Sequence, residues 1–123
     1  MTDLIAVIGP GKGTWKLVGD IIRLGGFGRV ILVSDSMGKQ KFLPPTECDW
    51  IVCDFSLPAI RLVDVFEAEL KKRLRGEEIG LHFISGAGNE HMALMAAVMR
   101  LGISFRLVAF VNHRLVDLAF PAA

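Results

Sequence analysis

At 123 residues the chain has room for one domain spanning 1–123, and none for a separate substrate domain or a tethered effector. Apolar residues make up 52% and charged residues 22%, which excludes a disordered segment and supplies one sizeable core. Fourteen basic side chains stand against thirteen acidic ones, so the net charge of +1 argues against a long nucleic acid as partner, and any anionic ligand must be captured locally. No apolar run approaches the roughly 20 residues that span a bilayer, so no membrane contact is expected. Met1-Thr2-Asp3-Leu4 has no basic leader and runs straight into a strand-like stretch, so a cytoplasmic location is expected. Cys48 and Cys53 lie too close on one extended segment to pair, and no finger-like spacing accompanies them. They read as free thiols, with no metal and no cofactor expected.

Leu4-Ile5-Ala6-Val7-Ile8 is a short continuous apolar run, the pattern of a central parallel strand buried on both faces. The glycine-rich turn Gly9-Pro10-Gly11-Lys12-Gly13-Thr14 follows. Trp15 to Leu24 reads as a helix that Gly25-Gly26 stops, and Arg29 to Ser34 as a second strand. Asp35 to Glu47 holds Gly38, Pro44, Pro45 and two lysines, and reads as an excursion or lid rather than a core element. Trp50 to Cys53 is a third strand. Ser56, as N-cap, and Pro58 open a long helix with Leu62, Val63, Phe66, Leu70 and Leu74 at helical spacing. Lys71, Lys72, Arg73 and Arg75 crowd its end, where cations suit the helix dipole and read as a solvated face.

Ile79 to Ile84 is a fourth strand containing His82. Ser85-Gly86-Ala87-Gly88-Asn89 is a second small-residue turn, and Glu90 to Leu101 a helix that is apolar nearly all round. Phe105 to Val111 and Leu115 to Phe120, joined at Asn112-His113, form a terminal hairpin. Strands alternating with helices imply right-handed crossovers. The expected fold is therefore α/β and Rossmann-like: a mostly parallel sheet, helices on both faces, and an antiparallel edge from the hairpin.

In such sheets ligands bind outside the carboxyl ends of the strands, where strand order reverses. Gly9 to Thr14 and Ser85 to Asn89 are the two loops with suitable chemistry there. Both lead into helix N-termini, whose free N–H groups and dipole favour an anion. Gly9, Gly11, Gly13, Gly86 and Gly88 let a ligand touch the backbone. Lys12 supplies a cation, and Thr14, Ser85 and Asn89 supply short polar groups, although Asn89 is equally well explained as an N-cap. His91, in the first helical turn after the second loop, reads equally as a surface residue or a site residue. A P-loop is excluded because Ala6 stands where its first glycine belongs, and Thr14 replaces the third glycine of a dinucleotide fingerprint.

Gly9-Pro10-Gly11-Lys12-Gly13-Thr14-Trp15 after the first strand, and Ile84-Ser85-Gly86-Ala87-Gly88-Asn89-Glu90-His91-Met92-Ala93-Leu94 after the fourth, resemble the two ligand loops of CRISPR-associated Rossmann fold (CARF) domains. The strand and helix order matches over essentially the whole chain. One departure is Asn89-Glu90, which stands where that family often has a threonine and a lysine. The resemblance implies a homodimer that binds a cyclic oligoadenylate, with cyclic tetra-adenylate the expected ring, across its two-fold axis. It further implies either a ring nuclease or a small sensor or sponge, in CRISPR antiviral defence. In the ring-nuclease case the ligand's own 2′-OH attacks the neighbouring phosphorus without a metal. Lys12 would then stabilise charge, Ser85 and Thr14 orient phosphate or ribose, and His91 donate a proton to the leaving 5′-oxygen. A further alternative is an orphan Rossmann-like subunit that binds some other nucleotide.

Overall fold

The computed structural model describes residues 2–119. In chain order the elements are β1 (Asp3–Ile8), α1 (Trp15–Leu24), β2 (Val30–Ser34), α2 (Ser36–Lys41), β3 (Asp49–Val52), α3 (Ala59–Arg73), β4 (Ile79–His82), α4 (Gly88–Arg100), β5 (Phe105–Val111) and β6 (Arg114–Asp117). They build one six-stranded sheet in the order β3-β2-β1-β4-β5-β6. The first five strands pair in parallel, and β6 closes antiparallel on β5. The fold is the α/β, Rossmann-like one that the alternation of elements predicts.

The continuous apolar character of β1 has a direct physical reason. Successive side chains of a strand point to opposite faces, and here both faces are covered. Ile5 and Val7 pack with Leu62, Phe66, Leu94 and Val98 from α3 and α4. Leu4, Ala6 and Ile8 pack with Val18, Ile21 and Ile22 from α1. Every one of these side chains is buried. Burial of one such side chain is worth roughly 1.5–3 kcal/mol, so the paired cores outweigh any loop interaction described below. The two-residue turn at Asn112 and His113 takes φ of 50° and 61°. These positive values are what a tight hairpin needs to match the twist of its strands. The far end of the predicted last strand, at Phe120, lies outside the described residues.

Two expectations need correction. Asp35 to Glu47 is not a loose excursion. It contains α2, whose N-terminus is capped by the Asp35 carboxylate accepting from the Gly38 N–H at 2.8 Å. Phe42 follows, buried and edge-on to both Trp15 and Trp50. An aromatic anchor inside the segment ties it to the core, a tertiary fact that its turn-forming composition hides. Nor does Ser56 cap α3. Pro58 occupies the cap position, and the Ser56 N–H and hydroxyl both donate to Asp54 Oδ1, at 2.9 and 2.6 Å. The serine closes an Asx turn one step before the helix. At the other end of α3, Arg73 is no free cation. Its Nε lies 2.8 Å from Asp49 Oδ2 and its Nη2 donates to the Trp50 carbonyl, which locks the helix to β3. Cys48 and Cys53 are free thiols, both half-buried.

Candidate functional site at the strand-order reversal

Strand order reverses between β1 and β4, which lie side by side with Ala6 opposite His82. The two glycine-rich loops therefore leave the sheet as neighbours and touch. The Gly9 N–H donates to Ser85 Oγ at 2.8 Å. A Cβ on Gly9 would lie 2.5 Å from the Gly86 Cα and N, closer than any side chain permits. Gly86 itself has φ of +100°, and a Cβ there would meet Val7 Cγ1 at 2.8 Å and His91 Nε2 at 2.9 Å. These two glycines are consumed by the packing of one loop on the other.

The remaining glycines behave differently. A Cβ on Gly11, Gly13 or Gly88 would meet nothing within 4 Å. The fold does not need glycine at these positions, and their backbone borders open space. Between Gly11 and α1 the first loop tightens into a single 3-10 turn, Lys12–Thr14. The Thr14 hydroxyl donates to the Gly11 carbonyl at 3.2 Å, and the Trp15 indole N–H donates to the Gly9 carbonyl at 2.8 Å. Lys12 is exposed, with Nζ 5.9 Å from the Trp15 ring centroid.

The second loop is held from within. Ala87 occupies the cap position of α4 and has no polar side chain to offer, so Glu90 reaches back and accepts from the Ala87 N–H at 2.6 Å. Glu90 is buried despite its charge. His91 Nε2 lies 2.7 Å from the Ser85 carbonyl oxygen. A carbonyl only accepts, so this nitrogen carries the proton and Nδ1 is the unprotonated one in the neutral ring. The ring stacks on Phe83 at 4.7 Å. Asn89 Nδ2 donates to the Phe55 and Leu57 carbonyls, at 3.3 and 3.0 Å, which pins the β3–α3 loop to the start of α4.

Several expected roles change accordingly. Ser85 is 1% exposed, and its hydroxyl joins the two loops instead of facing outward. Gly9 and Gly86 cradle each other. Asn89 is not the N-cap but a brace between loops. Lys12, Thr14, Gly11, Gly13 and Gly88 lie on the open side, and His91 borders it. Glu90 and Phe83, which the sequence reading did not single out, organise the second loop. For Glu90 the signal was there, since a glutamate three residues after a cap position is half of a capping box. For Phe83 none was.

Beyond β3 the Cys53 thiol is pushed up to about 11 by burial first, then by Asp54, Asp35 and Glu90. A thiol so protonated is a poor nucleophile at neutral pH. Hydrogen bonds from the Ser56 hydroxyl and N–H hold Asp54 below the usual carboxylate range. Asp35 and Asp54 follow β2 and β3, Glu90 opens α4 after β4, and Lys12 is exposed on the loop after β1. Among the described residues no helix is long and apolar enough to cross a membrane, and no cluster of three metal-ligating side chains forms.

Beside the second loop α4 leaves an apolar face uncovered. Met92 and Met99 are 62% and 65% exposed. With Met95, Phe83, His91 and Gly88 they line a shallow groove that begins at the loop itself. No protein-family model matches the chain, and no curated protein matches it. The class stands on the fold: an α/β protein of Rossmann-like topology whose two glycine-rich loops meet at the reversal of strand order.

Proposed function

We propose that this protein is a CARF-like receptor that binds a cyclic oligoadenylate across a homodimer, with cyclic tetra-adenylate the first ring to test. The observation that carries the reading is the continuity of the groove on α4 with the open glycine backbone: Gly88 belongs to both, and His91 lines the groove beside it. An exposed methionine-rich stripe suits an adaptable apolar contact. A second copy related by a two-fold axis along that stripe brings two sets of loops together. Each set offers Lys12, the backbone at Gly11, Gly13 and Gly88, and the N-terminus of α4. A cyclic ligand with repeated phosphates matches such a doubled anion site, and a mononucleotide fills only half of it.

Binding is supported more directly than cleavage. In cleavage the ring's 2′-OH attacks the adjacent phosphorus and the P–O5′ bond breaks. A 2′,3′-cyclic phosphate forms, and the proton lost from the 2′-OH is returned to the 5′-oxygen. Lys12 would offset the charge on the phosphorane. With Ser85 buried and His91 Nε2 held by a carbonyl, proton transfer to the leaving group would fall to His91 Nδ1 in the doubly protonated ring. That scarcity of acid–base groups favours the second reading, a sensor or sponge that binds without turnover.

Calorimetry with cyclic tetra-adenylate, linear tetra-adenylate and ATP tests both readings. The expected result is one ring per two chains, and much weaker binding of the linear and mononucleotide ligands. Chromatography of the same mixtures detects linear product if cleavage occurs. Saturation at one ring per chain, or equal affinity for ATP, removes the receptor reading. Sedimentation of wild type and Met99→Glu isolates the dimer: a 13.5 kDa species in the wild type at micromolar concentration removes it.

A further inference from the structure

A second feature owes nothing to the loops. A cavity of about 310 Å³ lies against β4 and β5 beside α1. Leu17, Ile84, Val108, Phe110 and Leu118 form apolar walls, and His82 is the one polar side chain in the lining among the described residues. His82 is 3% exposed, and its Nδ1 has no hydrogen-bond partner among the described residues. Buried polar atoms are paired in the great majority of cases, and an unpaired one costs stability. Nδ1 itself is covered, and the ring lines this apolar space.

The walls define the occupant. With no charged side chain in the lining among the described residues, a carboxylate, phosphate or ammonium would be desolvated without a counter-charge. A neutral imidazole offers one N–H and one lone pair, and a hydroxyl, which both donates and accepts, meets it in either tautomer. The volume is about twice that of an engineered apolar cavity of ~150 Å³ that accepts benzene, so it suits a two-ring or medium-chain hydrocarbon body. We propose that this cavity binds a small apolar alcohol or phenol, its hydroxyl bonded to His82 and its hydrocarbon body packed on Leu17, Val108 and Phe110. Burial pushes the His82 pKa down to about 4, so the ring is neutral at pH 7 as this pairing requires.

Nitrogen-15 NMR of the full chain, titrated with 2-naphthol and separately with naphthalene, tests the assignment. Saturable amide shifts are expected at Leu17, Val108 and Leu118. 2-Naphthol should bind about tenfold more tightly than naphthalene, the difference one buried hydrogen bond makes. His82→Leu should erase that difference while keeping the shifts. Leu17→Trp, at the half-exposed mouth, should abolish binding of both with an unchanged melting temperature. No saturable shifts at these residues, shifts confined to Gly9–Thr14 or α4, or equal affinity of the two probes for the wild type would each overturn the proposal. The wild-type comparison stands even if His82→Leu fails to fold.

Discussion

The two glycine-rich loops look alike in sequence and differ in construction. The second is a finished piece: Glu90 holds Ala87, His91 meets the Ser85 carbonyl, Asn89 clamps the neighbouring loop, and Gly86 accepts a positive φ to let Gly9 approach. The first is tied mainly at its ends, by Ser85 at Gly9 and by Trp15 back to the same residue, and its Gly11–Gly13 stretch borders open space. A glycine-rich turn is thus two different devices. One uses the missing side chain to pack backbone on backbone, and the other leaves backbone available to something outside the chain. The first loop, with its exposed lysine, is the adaptable half of the candidate site, and the second is the platform.

The largest expected effect breaks the contrast where it is sharpest. Gly9→Ala drives a methyl group into the Gly86 backbone and should cost more than about 3 kcal/mol, whereas Gly13→Ala, facing open space, should change unfolding free energy by less than about 0.5 kcal/mol. Chemical denaturation of both variants checks this, and equal losses would erase the distinction.

The strands that feed the loops also differ, because β4 carries buried His82 where β1 has Ala6 opposite it. Its pKa is about 4 in the folded state against an ordinary 6.5. The unfolded chain therefore takes up a proton first as pH falls. Burial of His82 carries no protonation cost above pH 6.5, and stability falls on the way down to about pH 4, by roughly 3 kcal/mol for a shift of this size. His82→Leu should flatten that part of the stability–pH curve, and parallel curves would count against a neutral buried ring.

Glu90→Ala strips the platform of its brace and leaves the Ala87 N–H without its acceptor. A loss of about 2 kcal/mol in denaturation is expected, with Glu90→Gln keeping most of it because the amide oxygen still accepts. The smallest effect on the fold, and the one that matters most for the proposed ligand, is Lys12→Ala. It should leave stability unchanged and weaken cyclic tetra-adenylate binding roughly tenfold or more, as removal of a charge-assisted contact does. Lys72→Ala, whose exposed ion pair with Glu69 lies at the C-terminal end of α3, should alter neither. Wild-type affinity in Lys12→Ala would leave the first loop without a role in recognition.

Much of this was legible in the sequence for a specific reason. Strand and helix alternation, the doubly buried β1 and the hairpin turn are local patterns, and a local pattern survives whatever it later packs against. The meeting of the two loops followed too, since a Rossmann-like sheet reverses its strand order between the first and fourth strands, and here β1 and β4 pair. The partners of Ser85, Asn89 and Phe42 were not legible because they lie across the chain. Ser85 bonds Gly9, 76 residues away, Asn89 bonds Leu57, 32 away, and Phe42 lodges between Trp15 and Trp50. No composition or spacing near a residue encodes a partner brought in by folding.

By itself, the sequence determined the elements, their order, the edge of the sheet at which the two glycine-rich loops leave, and the surplus of apolar residues on the helix after the second loop. Only the tertiary structure decided which glycines are spent on packing and which are open. It also decided which face of that helix stays bare and that His82 sits unpaired beside a cavity. The first set depends on periodicity and backbone sterics, which each residue carries with it. The second depends on which surfaces come within a few ångströms of one another, and that is fixed only once the sheet has assembled.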